Sequence, residues 1–82
     1  MNYTLAYLDL DNDYTIQVEQ NLNPFQVIDR LAQLTGVDVE AYTGYTASVK
    51  RALAAISTYG DMHTLNRMYI TAISDSGERY SL

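Results

Sequence analysis

Three groups of side chains in this chain have the type and spacing for chemistry. The first is Asp9-Leu10-Asp11-Asn12-Asp13, alternating carboxylates of the sort that open calcium loops, where ligands stand at positions 1, 3, 5, 7, 9 and 12. On that template position 6 is Tyr14, where the bend needs glycine, and position 12 is Gln20, where a bidentate glutamate belongs. The segment is therefore expected to be a carboxylate-lined hairpin turn, with no metal bound. The second is His63, the only histidine, in Asp61-Met62-His63-Thr64. A single ring excludes a histidine metal cluster, and any dyad or triad would have to use this one. The third is Lys50, the only lysine, beside Arg51; the pair is expected on a solvated helix face. There is no glycine-rich phosphate loop and no G-x-S-x-G elbow. Lacking cysteine, the chain has neither disulfides nor thiolate zinc sites.

Charge and aromatic usage point to binding instead. Residues 1–40 carry Asp9, Asp11, Asp13, Glu19, Asp29, Asp38 and Glu40 against Arg30 alone, a balance of −6 within a net charge of −5. Residues 41–82 carry the remaining +1. Such a field disfavours nucleic acid and anionic lipid, whose phosphates call for Lys and Arg, and favours a basic protein surface. Eight tyrosines, one phenylalanine and no tryptophan supply large rings that tolerate water at the hydroxyl, which suits an interface. Eight are more than a core of 82 residues encloses, so several are expected at the surface.

The elements that must position these groups follow from periodicity. Residues 1–82 make one domain, since two halves of this length would each need a disulfide or metal to stand. Tyr3 to Leu10 reads as a strand. Tyr14 to Glu19 alternates Tyr14, Ile16 and Val18 against Thr15, Gln17 and Glu19, giving a hairpin whose apolar face is expected to be buried. Asn23, Pro24 and Gln26 form a capping box with proline at the first helical position, opening a helix over roughly 24–35 that Gly36 ends. An acidic connection, 37–40, leads to a second helix starting near Tyr45 or Thr46 and ending at Tyr59, with Val49, Ala52, Leu53 and Ile56 on one face and Gly60 beyond. Asp61 to Leu65 is a loop or a single turn. Met68, Ile70 and Ala72 alternate with Tyr69, Thr71 and Ile73, and Asp75-Ser76-Gly77 turns into a final strand, Glu78 to Leu82. The order β-β-α-α-β-β predicts an α+β domain, two hairpins in one antiparallel sheet with both helices on one face.

The longest wholly apolar run, Ala52 to Ile56, is too short for a membrane span, and the first residues lack a basic signal region, so a cytosol is the expected location, a host cytosol if the source is viral. A sheet under two short helices is not expected to enclose an active-site cleft, which leaves binding ahead of catalysis. The residues expected to meet a partner are Asp9, Asp11 and Asp13 with Tyr7 and Tyr14, and Asp38 and Glu40 with Tyr42 and Tyr45. Spaced carboxylates between amphipathic rings suit a groove rich in Arg and Lys, where carboxylates stand in place of phosphates. The leading expectation is a non-enzymatic inhibitor that occludes a basic, nucleic-acid-binding surface. It resembles the anti-CRISPR and other anti-defence proteins of phages and mobile elements only in size, acidity and lack of catalytic residues. A homo-oligomer built through a sheet edge or tyrosine face is the first alternative, and a small enzyme or metal module using His63 the second.

Overall fold

The computed structural model describes residues Met1 to Leu82. Its elements run β1 (Tyr3–Asp9), β2 (Thr15–Leu22), α1 (Pro24–Thr35), α2 (Val39–Thr43), α3 (Val49–Tyr59), α4 (Met62–Leu65), β3 (Thr71–Ser74) and β4 (Arg79–Ser81). The four strands form one antiparallel sheet in the order β2-β1-β3-β4. The expected β-β-α-α-β-β plan is present. Two refinements come from short turns: the acidic connection winds into α2, and residues 61–65 wind into α4.

Local chemistry explains the boundaries. Asn23 Oδ1 accepts from the Gln26 N–H at 2.9 Å while the Asn23 N–H donates to Gln26 Oε1 at 2.8 Å, so the capping box is complete. Gly36, at φ 72°, ends α1 in the left-handed conformation that Cβ-bearing residues resist. The second long helix starts later than its alanines imply, because Ser48 caps it by accepting from the Arg51 N–H. Gly60 follows α3 for want of space: a Cβ there would lie 2.7 Å from the Ile56 carbonyl oxygen and 2.7 Å from Leu65 Cδ1.

The core lies between the sheet and the helix layer. Tyr3, Leu5 and Tyr7 of β1 and Ala72 of β3 meet Val27 and Leu31 of α1 and Val49, Ala52, Leu53 and Ile56 of α3. Met68 and Ile70 are buried as their alternation with Tyr69 predicts.

The faces of β2 are exchanged relative to expectation. Ile16 and Val18 are 73% and 53% exposed and Tyr14 is exposed too, while Gln17 and Glu19 on the other side are half-buried. Register sets this outcome. Gln17 stands opposite Tyr7 and Glu19 opposite Leu5, so both share the inward face of β1, whereas Ile16 and Val18 stand opposite Leu8 and Ala6 on the outward face. Inward Glu19 is tolerated because Arg30 of α1 meets it there. A bulge where the register shifts between Tyr3 and Leu5, with Asn21 at φ 60°, re-aims Leu22 inward opposite Tyr3.

Candidate functional site: an acidic, aromatic cleft behind the first helix

Helix α1 turns Val27 and Leu31 to the core and Arg30 toward β2, leaving Phe25, Ile28, Asp29 and Ala32 on another flank. Chain that follows α1 folds back along that flank. Val39 is buried and anchors α2, and Asp38 caps α2 by accepting from the Ala41 N–H at 3.3 Å. Gly44 ends α2 with φ 69° and redirects the chain so that the Tyr45 ring stacks on Phe25, centroids 4.9 Å apart and planes 15° apart. Between these segments lies a cleft of about 440 Å³. Its size departs from the expectation of no such cleft, since α2 and residues 44–46 form a wall that a two-helix layer would lack.

The lining is one-signed. Asp29, Asp38 and Glu40 contribute carboxylates, Phe25 and Tyr45 contribute rings, and no Lys, Arg or His is among the lining residues. All three carboxylates belong to solvent-exposed residues. Asp29 accepts from Gln33 Nε2 at 3.1 Å, and Glu40 has no side-chain hydrogen bond. Such a lining accepts hydrogen bonds and positive charge, while the paired rings offer a flat apolar surface on which a guanidinium or an aliphatic stem can rest.

The anticipated binding residues fall into separate places. Asp38, Glu40 and Tyr45 come together in the cleft, joined by Asp29 and Phe25, which sequence reasoning did not select. Helical spacing was the available signal: Phe25, Asp29 and Ala32 lie on one stripe of α1. Tyr42 instead stacks on Tyr59 of α3, centroids 3.8 Å apart, with both rings exposed. The hairpin tip is not part of the cleft. There Asp9 Oδ1 accepts from the Asp11 N–H at 3.1 Å, Asp11 and Asp13 are exposed, and the Arg67 guanidinium donates to the Tyr14 hydroxyl. No group of three or more His, Asp or Glu side chains is arranged to hold a metal ion.

Tyr7, expected beside the tip carboxylates, is buried, 8% exposed, and its hydroxyl donates to Glu19 Oε2 at 2.8 Å. Arg30 closes the network, donating from Nε to Glu19 Oε1 at 2.8 Å and from one terminal nitrogen to the Tyr7 oxygen at 2.9 Å. Hydrogen bonding from Arg30 holds the Glu19 carboxyl below its ordinary range despite partial burial, and burial followed by the bond to Glu19 raises the Tyr7 phenol. His63 is exposed on α4 and has no hydrogen-bonded side-chain partner; the neighbouring Asp61 carboxylate accepts from the Thr64 hydroxyl at 2.9 Å.

No helix is long and apolar enough to cross a membrane. Compared with protein-family models, curated proteins and solved structures, the chain shows no significant match.

Proposed function

We propose that this protein is a small non-enzymatic binding module that receives a basic segment of a protein partner in the cleft behind α1. One observation carries the reading: Asp29, Asp38 and Glu40 converge with the Phe25–Tyr45 stack in a cleft of about 440 Å³ whose lining holds no basic residue. An arginine or lysine entering it would exchange water for charge-assisted hydrogen bonds while its stem packs on the rings. Occlusion of a basic nucleic-acid-binding surface is the use this chemistry favours, because a partner segment held against carboxylates is withheld from phosphates.

The test is titration of a fluorescently labelled arginine-rich peptide. Wild type should bind, and tenfold more salt should weaken binding severalfold. Reversing the cleft charges with Asp38→Lys and Glu40→Lys should remove binding, while Asp11→Lys and Asp13→Lys at the hairpin tip should change it little. Equal affinity of the cleft variant and wild type would overturn the assignment.

A further inference from the structure

β4 closes one end of the sheet, with β3 on one side and no strand on the other. Its pairing fixes which backbone groups stay free. The Ser74 N–H donates to the Glu78 carbonyl at 2.8 Å and the Leu82 N–H to the Ile70 carbonyl at 3.4 Å, so residues 78, 80 and 82 turn their backbone groups toward β3. By the alternation of an antiparallel ladder, the N–H and C=O groups of Arg79 and Ser81 point out from the free edge. Helix α3 packs beside β4. Its Lys50, Leu53, Ala54 and Ser57, one stripe at helical spacing, join Arg79, Tyr80 and Ser81 in lining a groove of about 310 Å³. Buried Leu53 and half-buried Tyr80 are its apolar part. The lining includes no carboxylate, and because the only ion pair of the chain joins Arg30 to Glu19, both cations of the groove, Lys50 and Arg79, are unpaired.

We infer that this groove receives an extended acidic segment of a partner protein, which adds to β4 as a fifth strand. The free backbone groups of Arg79 and Ser81 are the hydrogen-bonding frame for one more strand, whatever its sequence. Charge then decides which strand enters. An arginine on a short edge deters a basic strand, whereas carboxylates on an acidic one meet Lys50 and Arg79. Side chains of the entering strand alternate, one set over Leu53, Ala54 and Tyr80 and the other on the side of the sheet where Arg79 stands opposite Ile73. Within a chain of net charge −5 this groove is opposite in sign to the cleft behind α1 and shares no residue with it. The two sites are independent, and this one does not rest on the function proposed above.

NMR titration of isotope-labelled protein with a short peptide of alternating glutamate and valine tests it. Amide signals should shift at Arg79, Tyr80 and Ser81 and along the α3 stripe, and saturate, while those of Asp38 and Glu40 stay in place. The same peptide N-methylated along its backbone, which cannot pair with an edge, should bind at least about tenfold more weakly, and so should a peptide with lysine in place of glutamate. Lys50→Glu with Arg79→Glu, both exposed positions, should weaken the acidic peptide to a similar degree with an unchanged circular dichroism spectrum. Ser81→Pro removes one edge N–H without touching the β3 ladder and should weaken it too; in case the proline loosens β4, the N-methylated peptide tests the same hydrogen bonds on the intact protein. Asp38→Lys with Glu40→Lys should bind the acidic peptide no less tightly than wild type. Equal binding of acidic and basic peptides, or binding unchanged by either N-methylation or the charge reversal, would overturn the inference. So would shifts of the same amides on concentrating the protein alone, which would put a second copy on the edge.

Discussion

Arg30 and Glu19, on a helix and a strand, meet in a two-point contact, Nε to Oε1 at 2.8 Å and a terminal nitrogen to Oε2 at 2.7 Å, with each side chain about 30% exposed. The Tyr7 hydroxyl bridges both partners. This contact takes the place of apolar packing under β2, and it is what lets the strand turn its polar side toward the helices.

Loss of that contact should be measurable as stability. Arg30→Ala leaves Glu19 and the Tyr7 hydroxyl without their shared partner, and after discounting for partial exposure the expected loss is about 1–2 kcal/mol. Urea unfolding should show a lower midpoint with unchanged slope. A double-mutant cycle with Glu19→Gln should return a coupling of about 0.5 kcal/mol or more. Strict additivity would mean that the contact contributes nothing.

Acid should remove the same stabilisation. The folded Glu19 carboxyl titrates below its ordinary 4.5, so its contribution is complete above that value and disappears as pH falls through the lower folded value. Between about pH 7 and about pH 3, wild type should lose more thermal stability than Glu19→Gln, in which this linkage is absent. Tyr7 has the opposite sign: its raised phenol contributes below its ordinary 10.0 and loses that contribution as pH rises through the raised value. Parallel melting curves for the two proteins across the acid range would contradict the assignment for Glu19.

Two glycines should respond to alanine for different reasons. At Gly60 the added methyl meets the Ile56 carbonyl and Leu65 at 2.7 Å, an overpacking expected to cost about 1–3 kcal/mol. At Gly36 no atom lies within 4 Å, and the left-handed φ of 72° alone should cost about 1 kcal/mol. Thermal melts of both variants should place Gly60→Ala lower. The reverse order would show that backbone conformation outweighs crowding here.

The capping box makes a further prediction. Asn23→Ala removes the acceptor for the Gln26 N–H and should lower stability by about 1 kcal/mol, whereas Asn23→Asp should retain most of it. Because Asn23 also lines the cleft, peptide affinity should be measured on both variants. Equal melting temperatures for Asn23→Ala and wild type would refute the cap's contribution.

Local rules make most of the fold legible in the sequence. The α1 cap, its glycine stop, the apolar stripe of α3 and both hairpin turns depend on residues within a few positions of one another, and each appears where its signal lies. The assignment of β2's faces did not follow, because alternation defines two faces without saying which one the helices cover. That choice was made by Arg30, distant in sequence, and by a bulge at Asn21 that re-aims Leu22. The site was legible in part. Asp38, Glu40 and Tyr45 could be picked out as an acidic run leading into tyrosines, but their convergence with Phe25 and Asp29 depends on how the chain turns back at Gly44, a tertiary event.

The strand order has a consequence for how the chain acquires its shape. β1 occupies the middle of the sheet between β2, its neighbour in sequence, and β3, whose Ser74 stands opposite Tyr3. During synthesis the first hairpin can form early, but the far side of β1 has no partner until residues 71–74 have emerged. Until then Leu5 and Tyr7 lack the strand beside them, and the helix layer has only part of a sheet to settle on. Closing that distant pairing is the slow, entropically expensive step. Folding of this domain therefore waits on β3 and β4, and a growing chain that has not yet made them exposes the unpaired edge of β1 and is prone to aggregate.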